Sequence, residues 1–251
     1  MKKTVLKNCI AWAAATVALI GVWLIAYYAV GNSLLVPSFS DCMQKLGELF
    51  VSNVFWMSFF MTLKRVLIAF LIAFVFSAIF AIIAYLLPWF SVFFAPIVSV
   101  LRSMPVLGVL LIILVWSGAD TAPIIVAFLS LFPMLYAGFG ASLMGVDKRL
   151  VEMSHVYQVP IWRQIWLLYI PSAAPMALRE TTAALSFCVK LVVSAEVLAN
   201  TWKSLGGMMQ EAKLYLDMPL LFALVCITFL TGLLLETIGG AIAAWVERSC
   251  K

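Results

Sequence analysis

Residues 151–171 read VEMSHVYQVPIWRQIWLLYIP and interrupt a chain that otherwise consists of long apolar runs. Apolar side chains recur at helical spacing on both sides of Pro160, as they do along one face of an amphipathic helix. A proline also disfavours helical geometry in the residue before it. The segment therefore predicts two short amphipathic helices that meet at an angle. The apolar face consists of Leu150, Met153, Val156, Ile161, Ile165 and Leu168.

The second half of this segment carries an aromatic stripe in addition. Trp162, Trp166 and Tyr169 follow one another at helical spacing, and such residues favour a membrane interface. Pro171 is suited to the first turn of a following helix, where its fixed φ defines how the chain enters that helix. A short amphipathic helix can enter a groove on a partner protein through its apolar anchors. The segment is thus a candidate docking element.

The composition excludes an ordinary soluble domain. Of the 251 residues, 65% are hydrophobic and 11% are charged, whereas a soluble domain is about 25% charged. The mean hydropathy is +1.13. Several apolar runs reach the roughly 20 residues that cross a bilayer as a helix. Nucleic-acid binding is not expected, because the sequence has no basic patch interleaved with aromatic residues outside the apolar runs. The chain is predicted to be an integral membrane protein.

The apolar runs predict an all-α fold with six transmembrane helices in one domain covering residues 1–251. A cleaved signal peptide is the alternative for the first run, but that run is longer than a signal-peptide core and carries Trp and Tyr anchors. Residues 31–53 are expected to form a surface helix that is capped by Ser38, or by Ser40 and Asp41. The expected spans are residues 9–30, 56–87, 95–117, 123–144, 171–195 and 219–245, with a polar loop at 145–170.

The loop charges predict which side of the membrane each loop faces. Basic residues are enriched in cytoplasmic loops. With six spans and both termini in the cytoplasm, eight basic residues lie on the cytoplasmic side: Lys2, Lys3, Lys7, Lys148, Arg149, Arg163, Arg248 and Lys251. Three lie on the other side: Lys45, Lys203 and Lys213. This asymmetry favours a multi-pass membrane protein with six spans and both termini in the cytoplasm, which places loop 145–170 on the cytoplasmic side.

The sequence offers no catalytic or metal-binding constellation. Five cysteines are present without metal-ligand spacing, and one histidine, His155, cannot build a metal site alone. The chain has no Gly-rich phosphate-binding loop, so it is not expected to hydrolyse ATP itself. We therefore expect a protein that is not an enzyme and holds no cofactor of its own.

Charged residues inside the predicted spans cost a few kcal/mol near mid-bilayer, so they are expected to pair, to snorkel, or to line a path. Lys190 either pairs with Glu236 on the sixth span or lines a translocation path where it would meet an anionic solute. Small polar side chains that line a path could equally serve close helix packing. The pathway candidates are Ser103, Met104, Ser117, Ser186, Lys190 and Ser194.

Residues 152–171 resemble the cytoplasmic coupling loop of ABC importer permeases. The family pattern is Glu-Ala-Ala, three residues, Gly, nine residues, Ile, one residue, Leu-Pro, and Glu152 and Pro171 match its ends without a gap. Gln158 replaces the usual Gly, whose positive φ a Gln resists, so Pro160 is expected to move the turn. Met153 and Ser154 stand where the family has two alanines, and Leu168 and Ile170 replace its Ile and Leu conservatively. Ile165 is the further coupling candidate of the second helix.

Further stretches resemble the nitrate, sulfonate and taurine branch of these permeases in the right order. They include Leu-Arg-Ser-Met-Pro at 101–105, Trp-Ser-Gly at 116–118, and Ser-Ala-Glu at 194–196. The resemblance implies a type I ABC importer permease fold and a second permease copy, most simply an identical one. It also implies a cytosolic ATPase dimer that binds ATP and Mg, and a periplasmic or lipid-anchored solute-binding protein. The solute would be a small organic anion or a heterocycle.

A secondary transporter without an ATPase partner is the alternative function. Such proteins often contain internal repeats with broken helices near mid-membrane. The two halves of this chain do not align by inspection, and the coupling-like loop occurs once.

Overall fold

The computed structural model describes residues 18, 20–32 and 35–249, without the side chains of residues 148, 155 and 247–249. All regular elements within these residues are helical. They are α1 (Ile20–Val30), α2 (Phe39–Val51), α3 (Asn53–Leu86), α4 (Pro88–Ser103), α5 (Val106–Met144), α6 (Lys148–Val156), α7 (Ile161–Gln164), a π-helical turn (Ile165–Tyr169), α8 (Ile170–Ala199), α9 (Leu205–Leu214) and α10 (Met218–Ser249).

The element α5 is two helices joined at Gly118. This glycine has φ 76° and ψ 171°, which lies outside the helical region. Residues on the two sides of it contact one another: Val106 lines the same recess as Ser130, and Leu110 packs in one cluster with Val126. A straight helix would separate the second pair by about 24 Å at 1.5 Å per residue. The chain therefore reverses direction at Gly118, and residues 106–117 and 119–144 form an antiparallel hairpin.

Helix α8 is the centre of the bundle. It packs against α3, α5, α9 and α10. Small residues allow the approach of α10, because Gly232 faces Ser186 and Gly239 faces Thr182. Such small-residue contacts are typical of helix packing in membranes. Buried aliphatic side chains of α8, Val189 and Val192 among them, complete the main core with residues of α3, α5 and α10.

Four helices of the described part are long and apolar enough to cross a membrane: Asn53–Leu86, Val106–Met144, Ile161–Ala199 and Met218–Val246. The predicted span 95–117 is not one continuous helix, since α4 ends at Ser103 and α5 begins at Val106. Pro105 lacks an N–H group and restricts Met104, which has φ −62° and ψ 130°. The predicted link between the spans 95–117 and 123–144 is shorter than expected, since Gly118 is the one residue of α5 with non-helical φ and ψ. Of the first predicted span, 9–30, the structure describes residues 18 and 20–30, and residues 20–30 form the helix α1.

The surface helix expected between residues 31 and 53 is present as α2. Ser38 caps it, and its hydroxyl accepts a hydrogen bond from the Asp41 N–H, so the first of the two predicted caps is confirmed. Leu49 is buried, whereas Met43 is exposed. Lys45 forms ion pairs with Glu48 at 3.1 Å and with Asp217 at 3.7 Å, which ties α2 to the start of α10.

Candidate functional site

Helix α6 begins with a side-chain cap and ends in a left-handed turn. The Asp147 carboxylate accepts a hydrogen bond from the Arg149 N–H at 2.9 Å, as an N-cap does. At the other end Gln158 has φ 50°. The Val159 N–H donates to the Ser154 carbonyl at 3.0 Å, which closes the helix in the manner of a Schellman motif.

The expectation that Pro160 moves the turn is wrong. Gln158 itself adopts the left-handed conformation at the position where the resembling family has Gly. The hydrogen bonds that close α6 offset the local strain. Pro160 then begins the next helix rather than forming the turn, since its carbonyl accepts hydrogen bonds from the N–H groups of Arg163 and Gln164.

The second helix of the segment continues into the membrane without a break. α7 passes through the π-helical turn into α8, and the Ile170 N–H donates to the Ile165 carbonyl five residues earlier. Pro171 explains this register, because it has no N–H to donate to the Leu167 carbonyl four residues before it. α7, the π-helical turn and α8 thus form one continuous helical path from Ile161 to Ala199.

The π-helical turn divides the predicted aromatic stripe. Trp162 and Trp166 are exposed, and their ring centroids lie 6.2 Å apart. Tyr169 is instead buried, and its ring packs edge-to-face on Tyr85 of α3 at 5.1 Å. Tyr169 therefore belongs to the core and not to the exposed stripe. The extra residue in the turn rotates Tyr169 away from the two tryptophans.

The predicted coupling residues divide into an exposed and an inward-facing group. Glu152 is exposed and borders a recess that Tyr85 and Met144 also line, at the ends of α3 and α5. Ser154 is buried, and its hydroxyl donates to the Val151 carbonyl at 2.7 Å. Ile165 and Leu168 are partly buried against the main core. The exposed members are Glu152, Met153, Gln158, Pro160 and Pro171.

A buried polar cluster joins several helices at the end of the bundle that lies away from residues 151–169. The Glu196 carboxylate is fully buried and accepts hydrogen bonds from Thr62 Oγ1 at 2.9 Å, from Arg65 Nη1 at 3.0 Å, and from the Gly206 N–H at 3.2 Å. Arg65 Nη2 reaches Asp120 Oδ1 at 3.0 Å, next to the Gly118 reversal. This cluster joins α3, α5, α8 and the start of α9.

The predicted pathway candidates do not share one cavity. Lys190 and Ser194 are exposed on α8 and line a recess with Thr228 of α10. Met104 lines a second recess, on the side of α8 where Phe187 lies. The remaining three, Ser103, Ser117 and Ser186, each lie outside both recesses. Ser103 and Ser117 donate to carbonyls of their own helices, and Ser186 is buried opposite Gly232.

Of the two alternatives for Lys190, the ion pair with Glu236 is not present. Among the described residues, no acidic group lies within ion-pair distance of Lys190, and Glu236 is exposed elsewhere on α10.

Residues 73–250 match the family model of the binding-protein-dependent transport system inner membrane component. The chain belongs to this family. The match covers α4 to α10 in full, including the segment with Glu152 and Glu196 itself. The chain is an ABC transporter permease, and the recognition from residues 152–171 is confirmed.

Relatives and solved structures agree with the permease family. A probable ABC transporter permease of Brucella abortus (strain 2308) is 25% identical over 87% of this chain and 89% of its own length. The taurine transport system permease TauC of Escherichia coli (strain K12) is 23% identical over 85% of this chain and 80% of its own. A chain of an amino acid ABC transporter superposes with a TM-score of 0.66 at 18% identity over 80% of this chain and 96% of its own.

A chain of the MetNI methionine ABC transporter gives the same fold, with a TM-score of 0.64 at 16% identity over 74% of this chain and 93% of its own. At these identities the likeness shows the fold alone. The all-helical permease fold is therefore established, whereas the number of six spans stays a prediction.

The Glu196 cluster was missed by sequence reasoning. Glu196 and Arg65 are 131 positions apart, and nothing in the local sequence pairs them. One signal was present: Gly206 and Gly207 follow a serine cap, and a Cβ at Gly206 would lie 2.4 Å from Glu196 Cβ. A glycine within a helix indicates that another chain segment approaches closely.

Proposed function

We propose that the chain is the membrane-spanning permease subunit of an ATP-driven importer and that residues 151–169 transmit the force of a cytosolic ATPase. The observation that carries this proposal is the continuity of α7, the π-helical turn and α8. A docking element must be joined rigidly to the spans if its movement is to reach them. Here it is joined to the helix at the centre of the bundle.

Each coupling residue has a defined part in this proposal. Glu152 and Met153 are exposed on α6 and contact the ATPase. Gln158 and Pro160 set the angle between α6 and α7. Ile165 and Leu168 hold α7 and the π-helical turn against the core, and Pro171 fixes the register of the turn. Ser154 faces inward and closes α6.

The transport cycle needs partners that bind to this chain. Two copies of the permease enclose the pathway, and an ATPase dimer binds one coupling segment on each copy. ATP with Mg, held in the ATPase subunits, closes that dimer and draws the two segments together. The solute-binding protein delivers solute on the other side, at residues 41–53 and 196–217. Both termini of the chain lie in the cytoplasm, with the complex in the bacterial inner membrane.

The solute is proposed to be a small organic anion or a heterocycle. An exposed ammonium on a membrane-spanning helix is costly in lipid, so the face of α8 that carries Lys190 is expected to border the pathway. Lys190 shares its recess with Ser194 and Thr228, whose hydroxyls can donate to an anionic or polar solute. On the neighbouring face of α8, Met104 and Arg102 line the second recess.

The test is the ATPase activity of the complex reconstituted with its ATPase and binding protein. We expect Glu152→Lys to assemble but to lose the stimulation by the binding protein, since the reversed charge disrupts the α6 contact. Glu152→Gln, which keeps the shape, is expected to retain part of the stimulation. Normal stimulation of Glu152→Lys would show that Glu152 does not transmit ATP energy. If no ATPase co-purifies with the native chain, the importer proposal fails and a secondary transporter replaces it.

A further inference from the structure

Two tryptophans on α7 and the π-helical turn leave more than half of their surface uncovered by the bundle. The exposed fractions of Trp162 and Trp166 are 68% and 56%. Their rings contact each other and so form one continuous apolar surface. Arg163, also exposed, lies between them in the chain. Indole rings with a nearby guanidinium are the side chains that favour the interface between lipid and water.

The position of these rings relative to the membrane follows from the pairing of α3 with α8. The Cys188 thiol lies 3.5 Å from the Val66 carbonyl, and the Tyr169 ring packs on Tyr85. Both pairs fit an antiparallel register in which position 169 of the chain lies level with the end of α3.

The end of α3 marks a membrane boundary. No charged residue occurs from Val66 to Leu101, and this run folds back on itself at Leu87. From Val66 to Leu86 a helix rises about 30 Å, which is the thickness of the hydrocarbon core. The turn at 85–90 is apolar throughout, and Trp89 is exposed there. Leu87 and Tyr169 therefore lie at the lipid boundary.

The tryptophans lie just beyond this boundary. Along the helix, Trp166 is about 5 Å and Trp162 about 10 Å past Tyr169, and helix tilt shortens both depths. The polar layer is about 5–8 Å thick on each side of the hydrocarbon core. Trp166 thus falls within the headgroup layer and Trp162 at its outer edge.

We propose that Trp162 and Trp166, with Arg163, anchor α7 in the phospholipid headgroup layer on the side of the coupling segment. The α7 part of the segment is then held at the membrane surface, and α6 takes no part in this lipid contact. The lipid contact gives α7 a fixed plane in which it slides or pivots. This inference concerns a lipid surface and does not depend on the ATPase proposal.

The test uses the full chain in nanodiscs of phosphatidylethanolamine and phosphatidylglycerol, labelled throughout with 5-fluorotryptophan. Trp162→Phe and Trp166→Phe assign the two ¹⁹F signals by their loss. Paramagnetic broadening is measured with a lipid labelled on its headgroup and, separately, with a water-soluble gadolinium chelate. Tyr157→Trp supplies a control ring on the side of α6. Each measurement is repeated in the complex with the ATPase.

The expected result is that the labelled lipid broadens both tryptophan signals at least several-fold more than the chelate does, and that the ATPase changes neither. The Tyr157→Trp ring is expected to show the opposite preference. The proposal is overturned if the chelate broadens Trp162 and Trp166 in the free chain, whether or not the ATPase then protects them. Protection would assign the rings to the ATPase contact. Protection from both agents in the free chain would mean that protein covers the rings, and this also overturns the proposal.

Discussion

At the scale of single residues, Glu196 shows how a buried carboxylate is accommodated next to a membrane. An isolated buried charge is strongly unfavourable, and it is tolerated when ion pairing and hydrogen bonds satisfy its oxygens. Both Glu196 oxygens accept from Thr62, one from Arg65 and the other from the Gly206 amide. The Thr62 hydroxyl in turn accepts from the Leu205 N–H at 2.9 Å. The donors come from two helices, α3 with Thr62 and Arg65 and α9 with Gly206, so the carboxylate on α8 fixes the relative positions of all three helices.

The two carboxylate partners of Arg65 are expected to differ in their contribution to stability. Glu196→Ala leaves Arg65, Thr62 and the Gly206 amide buried without their acceptor, and breaking a buried pair costs about 3–5 kcal/mol. Asp120 is 77% exposed in its side chain, and exposed pairs contribute about 0–1 kcal/mol. Thermal unfolding in the same detergent should therefore show a large loss for Glu196→Ala and a small one for Asp120→Ala. Equal losses would contradict the assignment of Glu196 as the centre of the cluster.

Gln158 is a residue in an unfavourable conformation, and a glycine is expected to relieve it. The left-handed region costs a side-chain-bearing residue about 1–2 kcal/mol, whereas the added freedom of Gly in the unfolded chain costs about 0.4–1 kcal/mol. Gln158→Gly should thus slow amide hydrogen exchange across residues 153–163. The control is Tyr157→Gly, at the neighbouring exposed residue, which has no positive φ and should speed exchange. Faster exchange in Gln158→Gly would indicate that the Gln side chain holds the turn.

At the scale of elements, the reversal within α5 depends on one residue. Gly118 combines φ 76° with ψ 171°, a region that is almost restricted to glycine. The hydrogen bond from Thr201 Oγ1 to the Ala119 carbonyl, at 2.8 Å, holds the outside of the turn. A reversal within so few residues lets both halves of α5 lie against each other inside the membrane, where a longer irregular loop would expose unpaired backbone groups.

Gly118→Ala is accordingly expected to destabilise the protein by about 1–3 kcal/mol through backbone strain. The space around the position is open, so no steric clash contributes. Gly140→Ala is the matched control, because Gly140 lies in the same element with open space and no positive φ. In a helix that change should be neutral or stabilise by about 0.5–1 kcal/mol. Chemical unfolding of the two variants measures the difference in their free energies of unfolding. Equal values would show that a Cβ at position 118 does not strain the turn.

The sequence predicted those elements that local patterns determine. The Ser38 cap, the two helices of the coupling segment and the apolar runs each depend on neighbouring residues. The register of Tyr169 could not be predicted, because the π-helical turn arises from the missing N–H of Pro171 and shifts the periodicity by one residue. The break at Met104 was also missed, since a proline in an apolar run is compatible with a kinked helix. The recess that holds Lys190 depends on contacts between distant helices.

At the scale of the whole molecule, the positions of the turns determine the number of membrane crossings. From these turns we expect five crossings: α3, α4 with residues 106–117, residues 119–144, α8 and α10. Five crossings would place the start of α3 and the end of α10 on opposite sides. A sixth crossing by the region of α1 would return both termini to one side, as the distribution of basic residues predicts.

The crossing by α8 leads to a direct prediction of topology. Tyr157 and Tyr215 are similarly exposed, at 75% and 78%, and they lie on either side of α8. In a background with Cys9→Ser and Cys250→Ser, a membrane-impermeant maleimide should label Tyr215→Cys in spheroplasts, and Tyr157→Cys only after permeabilisation. Cys42 should not react, because burial raises the pKa of its thiol to about 11 and the thiol stays protonated and enclosed at neutral pH. Labelling of both variants in spheroplasts would mean that α8 does not cross the membrane, and the reverse pattern would place the coupling segment outside the cell.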